Sequence, residues 1–388
     1  MKENLFGKTL DQLGGIVEAE GLPAYAARQI ADWLYGKAAT GFSAMSNLPR
    51  PARERLARTW GIDLNPPVKS TESTDGTVKH LFAADRGGFV EAAWIPEPKR
   101  STLCLSVQVG CKMGCLFCMT GKQGFQGHLT SGEILNQFAS LPQRDKVTNI
   151  VYMGMGEPLD NLANVLDSLE VLCADWGFGL SPTRITVSTI GLVPPMREFL
   201  ARSRCHIAVS LHSPFEEERR RLMPVENVYP LEEVLAELRG SMARGQRRVS
   251  FEYILFDKLN DTPRHARELA RILNGIRCRV NLIPFHPIPG TPLTPSPRPA
   301  MEQFEAHLRE HGLLATIRRS RGLDIAAACG MLSTRELVRA RAEAEVRPGW
   351  SGCRAPDARL DAAESGRPRT GFRARAPFPF PFSPMQVS

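Results

Sequence analysis

The amino-acid sequence predicts an α/β protein: a partial (β/α)6 barrel, with a small helical accessory domain ahead of it and a disordered tail behind. Three observations carry that prediction. Short β-rich runs near residues 103–109, 148–153, 184–189, 206–211, 248–256 and 279–284 alternate with helix-like segments, the rhythm of parallel β/α units. Polar residues and cysteines fall late in these runs or just past them, at the edge where β/α barrels build active sites. The chain is also long enough, at 388 residues of which 43% are hydrophobic, to bury a sizeable core.

Residues 1–62 read as the helical domain. Tyr25–Tyr35 sets Ile30, Trp33 and Leu34 on one stripe, and Pro51–Trp60 suggests another helix, with basic residues interrupting both. Residues 63–100 read as a β-hairpin extension: Asp75-Gly76 is a turn between two short extended runs, one of them Lys79–Ala83, and Phe89–Ile95 is the next strand. Residues 101–340 hold the barrel. In its first run Leu103, Leu105, Val107 and Val109 share one face and Cys104, Ser106 and Gln108 the other, which turns Cys104 to the barrel interior. Thr130-Ser-Gly-Glu133 is a capping box that starts the first barrel helix. Residues 341–388 are rich in Pro, Gly and Arg and close on Pro377-Phe-Pro-Phe-Pro-Phe-Ser-Pro384, a composition that predicts disorder.

The formal charge of +8 invites a nucleic-acid reading. Seven arginines against three acids lie beyond residue 346, so half of that excess belongs to the tail. The modestly basic body permits RNA binding without establishing it. Met1-Lys-Glu-Asn-Leu-Phe6 has no apolar signal region, and no run of about 18 apolar residues occurs, so neither secretion nor membrane insertion is expected. The cytoplasm follows, where the nine cysteines stay reduced and serve metals or catalysis more readily than disulfides.

Four of those cysteines lie within Cys104–Cys118, and Cys111, Cys115 and Cys118 form a C-x3-C-x2-C run. Thiolates at such intervals on one loop suit a soft metal or an iron–sulfur cluster. With three ligands, a [4Fe–4S] cluster keeps one iron open; structural zinc, the other reading, needs a fourth donor such as His128 or a distant cysteine. Gly154-Met-Gly-Glu-Pro158 follows a strand and precedes a helix, but lacks the third glycine of a dinucleotide fingerprint. Its glycines permit close approach of a ligand, and Glu157 can accept a hydrogen bond from an amine. Strand propensity alone puts Glu91 in solvent, and a lone cysteine among alanines, as at Cys329, normally packs as a small hydrophobe.

The cysteine run, with Phe117 before its last member, resembles the signature of radical S-adenosylmethionine enzymes. Thr102-Leu-Cys-Leu-Ser-Val-Gln-Val-Gly-Cys111 and Gly124-Phe-Gln-Gly-His-Leu-Thr130 resemble one branch of them, the RlmN-type 23S rRNA adenine-C2 methyltransferases and their Cfr relatives. Matches extend from about residue 20 to about 335, leaving the tail without a counterpart. The resemblance implies Cys111, Cys115 and Cys118 as ligands of a [4Fe–4S] cluster. It implies Gly156, Glu157, Ser188, Ser210, Leu211, His212 and Asn281 as contacts of S-adenosyl-L-methionine. Cys329, in Asp324-Ile-Ala-Ala-Ala-Cys-Gly330, becomes the carrier of a methyl intermediate, Glu91 the general base, and Cys104 the thiol that attacks the Cys329 sulfur and releases product. Cys173, Cys205, Cys278 and Cys353 match no motif and read as structural.

The substrate so implied is an adenine of 23S rRNA at the peptidyl-transferase centre, with an adenine beside the tRNA anticodon as an additional candidate. The helical domain becomes an RNA dock, and the electrons come from a reducing donor such as flavodoxin or ferredoxin. A monomer is expected. Two alternatives stand beside this reading: a Cfr-like adenine-C8 methyltransferase conferring ribosomal antibiotic resistance, and a non-catalytic, metal-stabilised RNA-binding protein.

Overall fold

A computed structural model describes residues 2–243, 249–332 and 334. Its amino-terminal part holds β1 (Glu3–Asn4), the helices α1 (Leu10–Ala19), α2 (Ala26–Ala31) and α3 (Arg50–Thr59), and β2 (Trp60–Gly61), which pairs in parallel with β1. Ile30 and Leu34 are buried as their stripe requires and Trp33 is half-buried; the turn that follows α2, Asp32–Gly36, is a π-helix. This part shares its core with the barrel. The Tyr35 ring lies 5.6 Å from Phe6 and 5.6 Å from Phe178, which meets Phe138 edge-on at 5.1 Å, and the Tyr35 hydroxyl donates to the Lys8 carbonyl.

β3 (Lys69–Glu72), β4 (Val78–Ala83) and β5 (Phe89–Glu97) form an antiparallel meander, with Asp75-Gly76 in the first turn as the sequence predicts. β5 pairs antiparallel with β6 (Arg100–Cys104), so the hairpin extension is the edge of the barrel sheet itself. Next comes the cysteine loop, bracketed by the two-residue strands β7 (Gln108–Val109) and β8 (Gly127–His128) and containing α4 (Met119–Gln123). α5 (Ser131–Ala139) starts at the predicted capping box of Thr130 and Glu133.

The β/α units follow: β9 (Asn149–Tyr152) with α6 (Leu162–Cys173), β10 (Ile185–Thr189) with α7 (Val193–Arg202), and β11 (His206–Ser210) with α8 (Glu216–Leu222) and α9 (Leu231–Ala243). β12 (Val249–Leu255) leads to α10 (Pro263–Leu273), β13 (Cys278–Pro284) to α11 (Arg298–Glu310), and β14 (Ala315–Ile317) comes last. The ten-stranded sheet has the order β14-β13-β12-β11-β10-β9-β6-β5-β4-β3 and is parallel from β14 to β6. No helix among the described residues is long and apolar enough to cross a membrane.

Three expectations need correction. The run 103–109 is not one strand, because Gln137 of α5 takes over both backbone groups of Ser106, donating to its carbonyl at 2.8 Å and accepting from its N–H at 2.9 Å. Both of its faces are buried, so alternation does not sort core from site there. A seventh parallel strand, β14, is too short at three residues to leave a periodic signal. Asn281 lies in the middle of β13, not near its end. The predicted disorder beyond residue 341, and Cys353 with it, lies outside the described residues.

Candidate active site

The cysteine loop is fixed before any ligand enters it. Gly110 has φ +73°, and a Cβ there would sit 1.6 Å from the Gly124 carbonyl oxygen, so the two ends of the loop meet only because this residue is glycine. Lys112 Nζ holds Asp160 at 2.7 Å, Gln108 Nε2 donates to the same carboxylate at 2.8 Å, and the Leu116 N–H donates to the Leu222 carbonyl at 3.0 Å. Phe117 is buried edge-on against the His212 ring, 4.6 Å between centroids.

Burial pushes the Cys111 thiol up to about 12 and Cys115 well above the ordinary thiol range, and the neighbouring thiols raise both further. Two such thiols become thiolates together only when a cationic centre takes up their charge, as an iron–sulfur cluster does. The donor set therefore fits a cluster. Among the described residues, no three His, Cys, Asp or Glu side chains converge on a point that one metal ion would occupy. His128, one of the fourth donors considered for zinc, pairs its Nδ1 with Gln108 Nε2 at 3.1 Å.

The remaining predicted residues lie along the parallel strands or in the turns that follow them. Gly156 (φ +99°) brings the backbone against Gln108, where a Cβ would come within 2.5 Å of that side chain. Glu157 is buried, accepts from the Ile190 and Leu159 N–H groups at 3.1 Å each, and is raised to about 7 by burial. Ser188 and Ser210 are half-buried on β10 and β11. Leu211 is fully buried, and its N–H donates to the Glu252 carbonyl at 3.0 Å. His212 takes a left-handed φ of +57°, and its Nδ1 accepts from the Ile254 N–H at 3.0 Å. Burial and then the nearby Arg219 charge lower His212 to about 3, so it is a neutral brace for Phe117. Asn281 Nδ2 donates to Glu252 Oε1 at 2.7 Å.

Opposite the cysteine loop lies the Cys329 segment. The N–H of Met119, the residue after Cys118, donates to the Gly330 carbonyl at 2.8 Å, and Thr120 Oγ1 donates to the Leu332 carbonyl at 2.7 Å. Cys329 is open to solvent, contrary to its alanine-rich setting; the protein packed around it, and then the Glu252 charge, raise its thiol. Cys104 is buried against Ala93 and Ala327. Its thiol is raised by burial and then by Cys329, whose charge it feels. Glu91 is buried on β5, not in solvent, with Lys79 Nζ 2.9 Å from its Oε1.

Three contributors escaped the sequence reading. Arg219 is fully buried under the cysteine loop, paired with Glu226 and donating to the Ile190 carbonyl at 2.9 Å, and its charge offsets the rise at Cys115. Its neighbours Arg220 and Arg221 pair with Glu216 and Glu217 on the surface, so the Arg219-Arg220-Arg221 run reads as a solvated face. Glu252 stands in register between Ser210 and Asn281, and burial raises its carboxyl. Lys79 is the third.

Comparison with known proteins follows the same lines. Residues 105–270 match the radical SAM superfamily, and residues 3–62 match the ribosomal RNA large subunit methyltransferase N-terminal domain. A relative from Parabacteroides distasonis, named a probable dual-specificity RNA methyltransferase RlmN, is 53% identical over 87% of this chain and 98% of its own. The dual-specificity RNA methyltransferase RlmN of Syntrophotalea carbinolica is 41% identical over 84% of this chain and 88% of its own. The crystal structure of a radical SAM methyltransferase from Sphaerobacter thermophilus superposes with a TM-score of 0.79 at 40% identity, covering 85% of this chain and 99% of that one.

Proposed function

The chain belongs to the RlmN family of radical SAM RNA methyltransferases, enzymes of a [4Fe–4S] cluster and S-adenosylmethionine, and from that premise we propose that it methylates C2 of an adenine in 23S rRNA. An adenine beside the tRNA anticodon is its second substrate, a reading supported by relatives named for dual specificity. The observation that carries the proposal is the packing of Ala327, two residues before Cys329, against Cys104, while Met119, beside Cys118, donates its N–H to the Gly330 carbonyl at 2.8 Å. A polar methyltransferase needs neither Cys104 nor Cys329. Adenine C2 is electron-poor and has no lone pair with which to attack a methyl sulfonium, so a radical route is required.

Cys111, Cys115 and Cys118 hold the cluster, and Gly156, Glu157, Ser188, Ser210, Leu211, His212 and Asn281 shape the S-adenosylmethionine pocket. When bound and supplied with one electron, these groups provide a 5′-deoxyadenosyl radical. The Cys329 thiolate first takes a methyl group by displacement, forming its S–C bond as the sulfonium C–S bond breaks. Transfer of a hydrogen atom from that methyl to the 5′-deoxyadenosyl radical, which becomes 5′-deoxyadenosine, leaves a carbon radical on Cys329, which adds to C2. Glu91 receives the C2 proton as the adduct gives up one electron, for which the oxidised cluster, when bound, would be the acceptor. The Cys104 thiolate then attacks the Cys329 sulfur; the S–C electron pair stays with carbon, which gains a proton and becomes the product methyl. An external dithiol must reduce the resulting disulfide.

A flavodoxin- or ferredoxin-type donor, a cytoplasmic setting and a monomeric state belong to the same proposal. No relative reported above supports the Cfr-like C8 alternative. Nucleoside mass spectrometry of 23S rRNA treated with the reconstituted protein tests the reading: 2-methyladenosine is the expected product, and 8-methyladenosine or no methylated base overturns it.

A further inference from the structure

Strand register assembles a second group of residues behind Cys104. Lys79 of β4 lies opposite Ala93 of β5, and Ala93 lies opposite Cys104 of β6. Residues in one cross-strand row project from the same face, and so does Glu91, two positions before Ala93. Lys79 and Glu91 are thus a diagonal pair, close enough for a long side chain to span, and Lys79 Nζ does so at 2.9 Å. On that same face Ala327 packs against Ala93 and Cys104, and Lys79 Nζ lies 3.5 Å from the Ala326 carbonyl oxygen. One ammonium group therefore touches both the Glu91 carboxylate and the backbone of the segment that carries Cys329.

We propose that Lys79 is a positioning residue for the methyl-transfer reaction, holding the Glu91 carboxylate at the ring carbon and locking it to the Cys329 segment. The inference rests on the reading above, in which Glu91 accepts the C2 proton from an adduct carried on Cys329. A carboxylate acts as a base only within hydrogen-bond reach of the proton, and its partner here is tied to the same backbone that sets the position of the adduct. Arg at this position keeps the charge and most of the reach; Met keeps the stem and removes both contacts.

The test uses the full chain carrying its cluster, as wild type, Lys79→Met and Lys79→Arg. Lys79→Met is expected to keep its iron, its methylation of Cys329 and its reductive cleavage of S-adenosylmethionine within about twofold of wild type, because Glu91 takes no part in those steps. Single-turnover formation of 2-methyladenosine on a short RNA falls about tenfold to hundredfold, a fraction of what a general base contributes. With deuterium at C2 of the target adenine, the isotope effect of the Met variant is larger than that of wild type, since proton removal has become slow. Lys79→Arg recovers product formation to within about fivefold.

Unchanged product formation and isotope effect in Lys79→Met overturn the inference. So does a Met variant in which Cys329 methylation falls in step with product, since Lys79 would then serve only to fold the segment. Glu91→Gln separates the two levels. If it is inactive while Lys79→Met matches wild type, only the inference on Lys79 fails; if Glu91→Gln matches wild type, the reading of Glu91 as the base fails and the inference with it.

Discussion

The cysteine loop (110–118) and the Cys329 segment (322–332) face one another, yet they are held by different physics. The loop is fixed by packing: a glycine contact closer than any side chain allows, a buried Phe117 and two thiols deep enough to be strongly raised. The segment, beyond the packing of Ala327 on Ala93 and Cys104, is held by separate polar tethers. Ser73 Oγ and the Thr74 N–H donate to the Asp324 carboxylate at 2.5 and 3.1 Å, and the Gly322 N–H donates to Asp75 Oδ2 at 3.0 Å. The far end hangs on backbone carbonyls at Gly330 and Leu332. A cofactor cradle does best with one geometry throughout the cycle, and close packing yields one well-ordered state. In the proposed reaction the methyl carrier meets a donor, a base and a second thiol in turn. Hydrogen bonds worth about 0.5–1.5 kcal/mol each can yield one at a time.

The largest break between the two regions comes from their cysteines. Cys118→Ala is expected to lose iron and all product, whereas Cys329→Ala keeps its iron and also makes no methylated adenine. Iron and sulfide analysis beside nucleoside mass spectrometry reads the difference, and equal iron loss in both variants would erase the contrast. Cys104→Ala sharpens it from the other side. This variant reaches the adduct but cannot resolve it, so a covalent protein–RNA species accumulates on denaturing gels; free methylated RNA from Cys104→Ala would remove that thiol from the mechanism.

The next effect is on stability. Gly110→Ala must either displace the Gly124 carbonyl or abandon a left-handed φ, and strain of this kind costs about 3 kcal/mol. The expected result is a lower urea midpoint together with reduced iron retention. A Gly110→Ala protein with a wild-type midpoint would mean that the loop is as adaptable as the segment opposite.

What the sequence disclosed follows the same division. The cysteine motif and the capping box at Thr130 are local, so spacing alone located them, and β10 to β13 fall within a residue or two of the predicted runs. The break after Cys104 was illegible because it depends on Gln137, some thirty residues away, replacing a strand partner. Arg219 was hidden in an arginine run whose other members are solvated, and burial is a tertiary property that no composition records. Glu252 lies between Phe251 and Tyr253, both buried, in a strand with apolar residues on both faces, so period-two reading gave it no special place. Lys79 and Glu91 become partners only once register sets β4 against β5.

The smallest expected effect tests the tethers directly. Asp324 is exposed, and donors from Ser73 and Thr74 hold its carboxyl below the usual carboxylate range. Asp324→Asn keeps an acceptor oxygen but removes the charge that strengthens both hydrogen bonds. An exposed residue contributes little to the core, so the urea midpoint should stay at the wild-type value while the segment frays. Faster amide exchange across 322–330, unchanged exchange across 110–118, and product formation lower by about fivefold to tenfold would show that tethering of the carrier is separable from the cradle. Matched changes in exchange across both stretches would instead make them one cooperative unit, and the mechanical difference between them would disappear.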